Sequence, residues 1–414
     1  MKIGAILVTS IELVDKVIVE KLSAKITLNK FVRKNKYIGS KDRKFLYEIT
    51  FNTLKKYYGL IDVCKRNNVD ISTRNLVLLN FFNKFKNYKL DDLYKGKYSL
   101  NKKYEDLYIY TRAINYKKEI EPKLPDWLEK KIINQSESEK KSLYKSMLSE
   151  PRFDIAINTK KYSREDVKKK LNKHNIIGNN TKSSLVGITI NDRIPNSEIL
   201  KIKKNMFEVQ DEGSQLMTLL IGVKPNMKIL DLCAGKGTKT ILISNLLKNE
   251  GMITVYDKFM QRLEVLKKRV KELKLKNINF NLQNKDSFDL VLCDVPCSGT
   301  GTWRRRPENI IWLENQELVE LKVNQTNILI KAAKLCKKRG RLVYITCSLL
   351  SDENDLQIKK FLKDNKNFTI INIKEDISKY FKNNIFKFSK YGLTLKPDTL
   401  NTDGYFISIL KKFA

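Results

Sequence analysis

Lys228-Ile229-Leu230-Asp231-Leu232-Cys233-Ala234-Gly235-Lys236-Gly237-Thr238-Lys239-Thr240 decides the fold. Its first five residues place Ile229, Leu230 and Leu232 in a short segment of the kind that forms a buried strand of a sheet. Small residues and glycines follow, and then a polar helix start. In such a strand-to-helix turn the backbone can approach a ligand closely, and the free N–H groups of the helix N-terminus face it. A nucleotide-triphosphate loop is excluded, because it needs Gly immediately before the lysine and another five residues earlier. Those positions hold Thr238 and Cys233. The dinucleotide pattern G-x-G-x-x-G starts at Gly235 but ends in Thr240. Asp257 closes the next strand candidate, where a carboxylate can grip ribose hydroxyls. That suits a nicotinamide dinucleotide and S-adenosylmethionine equally, so the turn reads as a site for an adenosine-bearing cofactor.

Working outward, Ile253–Asp257, Phe288–Asp294, Arg341–Cys347 and Gly404–Leu410 are further strand candidates, separated by amphipathic helix-length segments such as Arg262–Leu273. Strands alternating with helices predict an α/β, doubly wound, Rossmann-like sheet over residues 206–414. Residues 126–205 read as a linker helix and a small α+β subdomain. It holds strand candidates Phe153–Asn158 and Leu185–Ile190 and a helix over Ser163–Leu171, opened by a Ser163/Asp166 capping box. Pro122 and Pro125 break any helix and mark a boundary. Residues 1–125 read as all-helical, with Ser40 expected to cap a helix carrying Asp42, Phe45, Leu46 and Ile49.

The formal charge of +35, from 81 Lys plus Arg against 46 Asp plus Glu, draws polyanions by summed field and counterion release. Nucleic acid is the first partner expected. No stretch approaches eighteen apolar residues, so no membrane span is expected. The short apolar start, Met1–Val8, runs into Glu12 and Asp15 without a cleavage site and reads as part of a fold, which points to the cytoplasm. The six cysteines form no CxxC pair, and His174 is the one histidine. A zinc site and a Ser-His-Asp triad are therefore not expected. Cys64, Cys293 and Cys336 read as packing residues.

Two more motifs sit at strand ends, where doubly wound sheets hold their ligands. Asp294-Val295-Pro296-Cys297-Ser298-Gly299-Thr300-Gly301 is one, and Tyr344-Ile345-Thr346-Cys347-Ser348, followed by Glu353-Asn354, is the other. Each cysteine lies among polar, turn-forming residues, and the two can meet over one cleft. A nicotinamide oxidoreductase leaves both cysteine motifs unexplained.

With these motifs in hand, residues from about 125 to the end resemble the RNA cytosine-C5 methyltransferase family of the Nop2/Sun or Fmu group. The resemblance rests on Asp231–Thr240, Asp294–Gly301 and Thr346–Ser348, together with Val209–Gln215 leading into the catalytic domain and Asp403–Phe406 in the closing strand. The N-terminus, with Arg43–Leu54, resembles a NusB-like RNA-binding domain, a combination typical of the bacterial 16S ribosomal RNA enzymes of the RsmB type. The resemblance implies S-adenosylmethionine as cofactor, held by Cys233, Ala234, Gly235, Lys236, Gly237, Thr238, Lys239, Asp257 and Asp294. It implies 16S ribosomal RNA as partner, with no metal and no required oligomer. It assigns Cys347 as the nucleophile on carbon 6 of the cytosine, Cys297 as the residue that helps expel the enzyme, and Asp294 as a contact to the cytosine edge. Arg304, Arg305 and Arg306 are expected to touch phosphates beside the unstacked base.

The sequence departs from the family pattern at Lys236 and Thr238. It also offers only Gln283 and Asn284, within Asn281–Lys285, near the adenine. Three alternatives stay open. A DNA cytosine methyltransferase would use Cys297 as nucleophile. The same chemistry could act on tRNA or 23S ribosomal RNA. The third is a non-catalytic RNA-binding protein.

Overall fold

The computed structural model describes residues 1–413 except 104, 116–118, 133–135, 192–198, 200–201, 203–204, 249, 284–286, 373, 375–376 and 378–385. Asn284 and Lys285 of the expected adenine region thus lie outside the described residues. The chain divides into two compact units, Met1–Ser149 with Trp303–Glu314, and Glu150–Thr302 with Asn315–Ala414.

The first unit is helical: α1 (Ile3–Val19), α2 (Ala24–Lys34), α3 (Ser40–Lys55), α4 (Tyr57–Arg66), α5 (Thr73–Lys84), α6 (Glu105–Asn115), α7 (Asp126–Ile132) and α8 (Glu137–Leu148). The apolar N-terminal run lies in α1, whose Ile6, Leu7, Leu13, Val14 and Val17 are buried at helical spacing against Leu46 and Ile49 of α3 and Leu78, Phe81 and Phe82 of α5. Gly39 takes the N-cap position of α3 and Ser40 is its first helical residue, so the expected Ser40 cap does not form. Asp42 in the first turn instead receives the N-terminal ammonium at 2.6 Å. Residues 303–314 join this unit through a short helix, Glu308–Trp312. The Trp312 indole N–H donates to Val17 O at 2.9 Å, and Glu308 accepts from the Ala24 N–H at 3.3 Å.

The second unit begins with a four-stranded antiparallel sheet of β1 (Phe153–Ile157), β2 (Gly178–Asn180), β3 (Gly187–Ile190) and β4 (Phe207–Val209), in the order β2-β3-β1-β4. Helix α9 (Arg164–Asn172) packs Val167 and Leu171 onto it. The capping box forms as expected, with the Asp166 N–H donating to Ser163 Oγ and the Ser163 N–H to Asp166 Oδ2. Strand β4 was not anticipated. It pairs Phe207 with Ile157 and Val209 with Ile155 immediately before α10 (Glu212–Leu220).

The larger sheet follows β5 (Lys228–Asp231), α11 (Thr238–Leu246), β6 (Met252–Val255), α12 (Met260–Leu273), β7 (Ile278–Asn279), β8 (Phe288–Asp294), α13 (Asn315–Leu335), β9 (Cys336–Thr346) and α14 (Asp355–Asp364), and then β10 (Phe368–Ile370), β11 (Lys387–Phe388), β12 (Leu393–Leu395) and β13 (Tyr405–Lys412). Among the described residues nine strands pair, in the order β11-β12-β13-β9-β8-β5-β6-β7, with β10 on β13. Strands β5 to β9 pair parallel and β13 runs antiparallel to β9.

Period-two alternation explains the continuous apolar runs. Ile229, Ile253, Leu290, Val343 and Ile407 face one side, under Met217, Ile241 and Leu266. Leu230, Val291, Leu342 and Phe406 face the other, under Leu329, Ile358 and Phe361. With β6 on one flank of β5 and β8 on the other, the strand order reverses beside β5. The C-terminal ends of β5, β8 and β9 come level there, Asp231 opposite Leu292 and Asp294 opposite Ile345. A crevice at such a reversal is where open α/β sheets bind ligands. Among the described residues no helix is long and apolar enough to cross a membrane.

Candidate active site

Three strand ends build the site. After β5, the turn Cys233–Gly237 closes with the Gly237 N–H on Ala234 O at 2.8 Å and the Ala234 N–H on Tyr256 O at 2.9 Å. Gly235 and Gly237 both have left-handed backbones, φ +55° and +81°. They differ in surroundings: a Cβ on Gly237 would lie 2.1 Å from Leu266 Cδ1, whereas one on Gly235 would meet nothing within 4 Å. Gly237 is therefore there for packing, and Gly235 opens onto free space beside Asp257. Gly237→Ala is expected to lose about 1–3 kcal/mol from strain and overpacking. Gly235→Ala is expected to lose about 1 kcal/mol, from the backbone alone. Thermal unfolding of the two variants checks the difference.

The Asp257 carboxylate, 6% exposed, accepts from the Gly235 N–H at 2.9 Å and the Phe259 N–H at 2.8 Å. Those two bonds fix the acid at the edge of the turn. Lys236 is exposed, and its carbonyl accepts from Arg269, which also pairs with Glu208 at 2.6 Å. The departure at Lys236 thus faces solvent and leaves the space over Gly235 clear. Thr238 is the first residue of α11. Gln283 is exposed.

At the second residue of α11, Lys239 Nζ lies 2.6 Å from Asp294 Oδ2 at the end of β8 and 5.5 Å from the Tyr405 ring centroid. Burial works against the ammonium, but the Asp294 carboxylate beside it prevails and holds the Lys239 pKa above its ordinary value, with Cys347 and Asp231 adding to the effect. Lys239 thus stays charged within electrostatic reach of Cys347.

The two cysteines meet. Cys297, in the loop after β8, and Cys347, at the end of β9, lie with their sulfurs 3.4 Å apart, both half-buried and reduced. The loops are knit by their backbones, Val295 N–H to Ile345 O at 3.0 Å and Gly301 N–H to Cys347 O at 2.9 Å. The Cys347 sulfur hydrogen-bonded to Cys297, followed by burial, pushes the Cys297 thiol well above its ordinary value. Cys64, Cys293 and Cys336 are buried packing residues, and burial raises the Cys64 and Cys336 thiols to about 11. Cys233, beside Asp231, is likewise pushed up by burial.

His174 is exposed, and no group of metal-ligating side chains occurs among the described residues. The arginine run corrects an expectation. Arg304 is 1% exposed inside the helical unit and cannot present its guanidinium to a phosphate, because the stretch that holds it packs as core. Arg306 is exposed and lies 3.7 Å from Glu308.

The sequence drew out Glu353 after the Cys347 motif and Glu212 within Val209–Gln215 without giving either a role behind these loops, and it did not draw out Gln325. The Glu353 and Gln325 side chains are buried and reach the Cys297 segment, and Glu212 is buried at the start of α10.

With this geometry established, residues 218–411 match the family model described as 16S rRNA methyltransferase RsmB/F. The match covers β5 through β13 and all three strand-end motifs. Relatives include the probable ribosomal RNA small subunit methyltransferase B of Bacillus subtilis, 32% identical over 49% of this chain and 47% of its own length. The protein of the same name in Synechocystis is 29% identical over 70% of this chain and 66% of its own. The chain thus spans about half to two-thirds of the RsmB-type relatives it matches. Among solved structures, PH0851 superposes with TM-score 0.74 at 21% identity, covering 99% of this chain and 97% of its own. NSun6 from Pyrococcus horikoshii with SFG gives TM-score 0.59 at 20% identity, covering 70% and 98%. These likenesses are of fold. Residues 218–411 share the Rossmann-like α/β fold of these neighbours, preceded by an α+β subdomain and a helical unit that fits a NusB-like fold, as the sequence led one to expect.

Proposed function

We propose that the chain transfers a methyl group from S-adenosylmethionine to carbon 5 of a cytosine in 16S ribosomal RNA. The observation that carries this reading is the 3.4 Å approach of Cys297 and Cys347 from two different strand ends, beside the Lys239–Asp294 pair. Cytosine C5 is a poor nucleophile until a thiolate adds at C6, and a free thiol is only a few per cent ionised near neutral pH (about 8.5 for its pKa). One cysteine serves to attack and a second, in contact with it, to help the attacking sulfur leave.

The residues around the β5 turn fit the cofactor. Gly235 opens onto free space, the Asp257 carboxylate is fixed beside it to take ribose hydroxyls, and Lys236 is turned away. S-adenosylmethionine bound there supplies an electrophilic methyl group. Cys233, Ala234, Gly237, Thr238 and Lys239 complete the turn, and Asp294 adjoins it.

Cys347 supplies the attacking sulfur, and the charged Lys239 lies within electrostatic reach of it. Addition at C6 moves the ring's electron pair to C5, which takes the methyl. The Asp294 carboxylate, steadied by Lys239, accepts hydrogen bonds from the N4 amino edge of the base. Loss of the C5 proton then drives the Cys347 sulfur off C6, a step that Cys297 assists from contact distance. A base buried among these groups must leave its stack, so a loop or single-stranded nucleotide is the target. The net charge of +35 favours RNA as partner. A DNA enzyme using Cys297 alone leaves the paired Cys347 without a task.

The test is incubation of the protein with undermethylated 16S ribosomal RNA and methyl-labelled S-adenosylmethionine, followed by nucleoside analysis. Label in 5-methylcytidine is the expected result. Label on another base overturns the chemistry. Label in 5-methylcytidine only when tRNA or 23S ribosomal RNA is supplied overturns the substrate.

A further inference from the structure

Glu353 is 0% exposed, a carboxylate taken out of water with no lysine or arginine in ion-pair contact among the described residues. Such a group persists only when hydrogen bonds replace its hydration. Three donors do so. The Ser298 N–H reaches Oε1 at 2.9 Å, the Ser298 hydroxyl reaches Oε2, and the Gln325 side-chain amide of α13 reaches Oε1 at 2.9 Å. Gln325 also donates to Pro296 O at 3.0 Å. The carboxylate therefore grips the residue after Cys297, and its glutamine partner grips the residue before it.

Cys347 is held differently. Its carbonyl accepts from the Gly301 N–H, and the strand behind it is bonded through Val295 N–H to Ile345 O. The Asn354 amide binds Ser348 O at 2.9 Å, and the Thr346 hydroxyl binds Asn354 Oδ1 at 2.6 Å. None of these bonds passes through the Glu353 carboxylate. The two systems touch at the Ser298–Ser348 hydroxyl contact at 3.2 Å, and the Tyr344 hydroxyl of β9 donates to the Glu353 carbonyl at 2.7 Å, a bond of the Glu353 backbone and not of its carboxylate.

We propose that Glu353, with Gln325, is a positioning residue for Cys297, so that its loss impairs release of the methylated RNA while sparing attack by Cys347. This rests on the two-cysteine reading above. Supporting it, the Glu353 charge is among the influences that hold the Cys297 thiol up, after the bond to Cys347 and burial. The carboxylate thus acts on the sulfur as well as on the loop.

The test compares Glu353→Gln, Gln325→Leu and Cys297→Ala in the full chain, each mixed with unmodified 16S ribosomal RNA and S-adenosylmethionine and run on a denaturing gel. Glu353→Gln is expected to accumulate a covalent protein–RNA band at least about tenfold above wild type, with multiple turnover down by a similar factor and the first-turnover methylation burst kept. Gln325→Leu is expected to do the same more weakly, and it covers the case of a Glu353 variant that does not fold. A misfolded protein makes no adduct, so accumulation cannot come from lost structure. If Cys297→Ala accumulates adduct while both clamp variants lose burst and turnover together, the positioning role is overturned. If Cys297→Ala itself gives no adduct although wild type methylates the RNA, the two-cysteine reading falls and this inference with it.

Discussion

On the proposed two-cysteine reaction, Cys347→Ala is expected to lower methylation of 16S ribosomal RNA by at least about 10³-fold, the scale on which loss of a covalent nucleophile is felt. Cofactor binding should survive, because the groups around Gly235 and Asp257 belong to the β5 and β6 ends and not to β9. Cys297→Ala should behave differently. Attack still proceeds, the methyl is transferred, and the sulfur of Cys347 stays on the ring. The protein then runs as a denaturation-resistant complex with RNA, with turnover reduced by at least about 10²-fold. The double variant should lose the complex. The opposite pattern, an adduct with Cys347→Ala that vanishes when Cys297 is removed, would exchange the two roles and favour the DNA-enzyme logic. The geometry allows the test to be read cleanly, because each cysteine lies on its own loop and the backbone bonds between the loops involve neither thiol.

Glu212→Ala is expected to cost about 3–5 kcal/mol, the penalty for breaking a buried ion pair from one side. Glu212 is fully buried at the first turn of α10. One oxygen accepts from the Ser183 and Ser184 N–H groups at 2.6 and 3.0 Å, and the other from Arg152 at 2.5 Å. Removing it strands two backbone donors and leaves Arg152 beside Asp154, 3.4 Å away. That carboxylate is a poorer partner, since burial holds its pKa above the ordinary value, against the pull of Arg152. Urea unfolding of the full chain checks this through the transition of the α/β unit. A loss below about 1 kcal/mol, the value of an exposed pair, would mean the site is wet. Replacing Arg152 by Met together with Glu212 by Leu should recover much of the loss, because it removes both charges at once.

How much of this was legible in the sequence varied with the range of the interaction. Strand β8 is Phe288–Asp294, as its apolar run indicated, and the capping box at Ser163 forms because its two partners are three residues apart. The cysteine loops could be set at strand ends for the same reason: local pattern marks where a strand stops. Strand β4 escaped notice because three residues carry too little periodicity, and only pairing with β1 makes Phe207–Val209 a strand. Ser40 failed as a cap because Gly39 already provides the extended backbone that the position needs, φ −69° and ψ 167°. Arg304 looked like one of three equivalent charges, and only tertiary packing separates it from Arg306. The clamp of Glu353 on Ser298 spans 55 positions, and that of Glu212 on Ser183 spans 29. No local rule connects such partners.

The excursion of Trp303–Glu314 into the helical unit has a consequence for how the protein is made. A nascent chain emerges from its N-terminus at about 5–20 residues per second, and domains generally close as they appear. Here the helical unit must wait. Its hydrophobic cluster includes Ile311 and Trp312, and its α1 carbonyl at Val17 is met by an indole translated long after Ser149. Much of the α/β unit is therefore already outside the ribosome before the first unit can be finished. Birth order and folding order diverge, and a ribosome stalled between residues 150 and 300 should hold a helical unit that remains open to proteases.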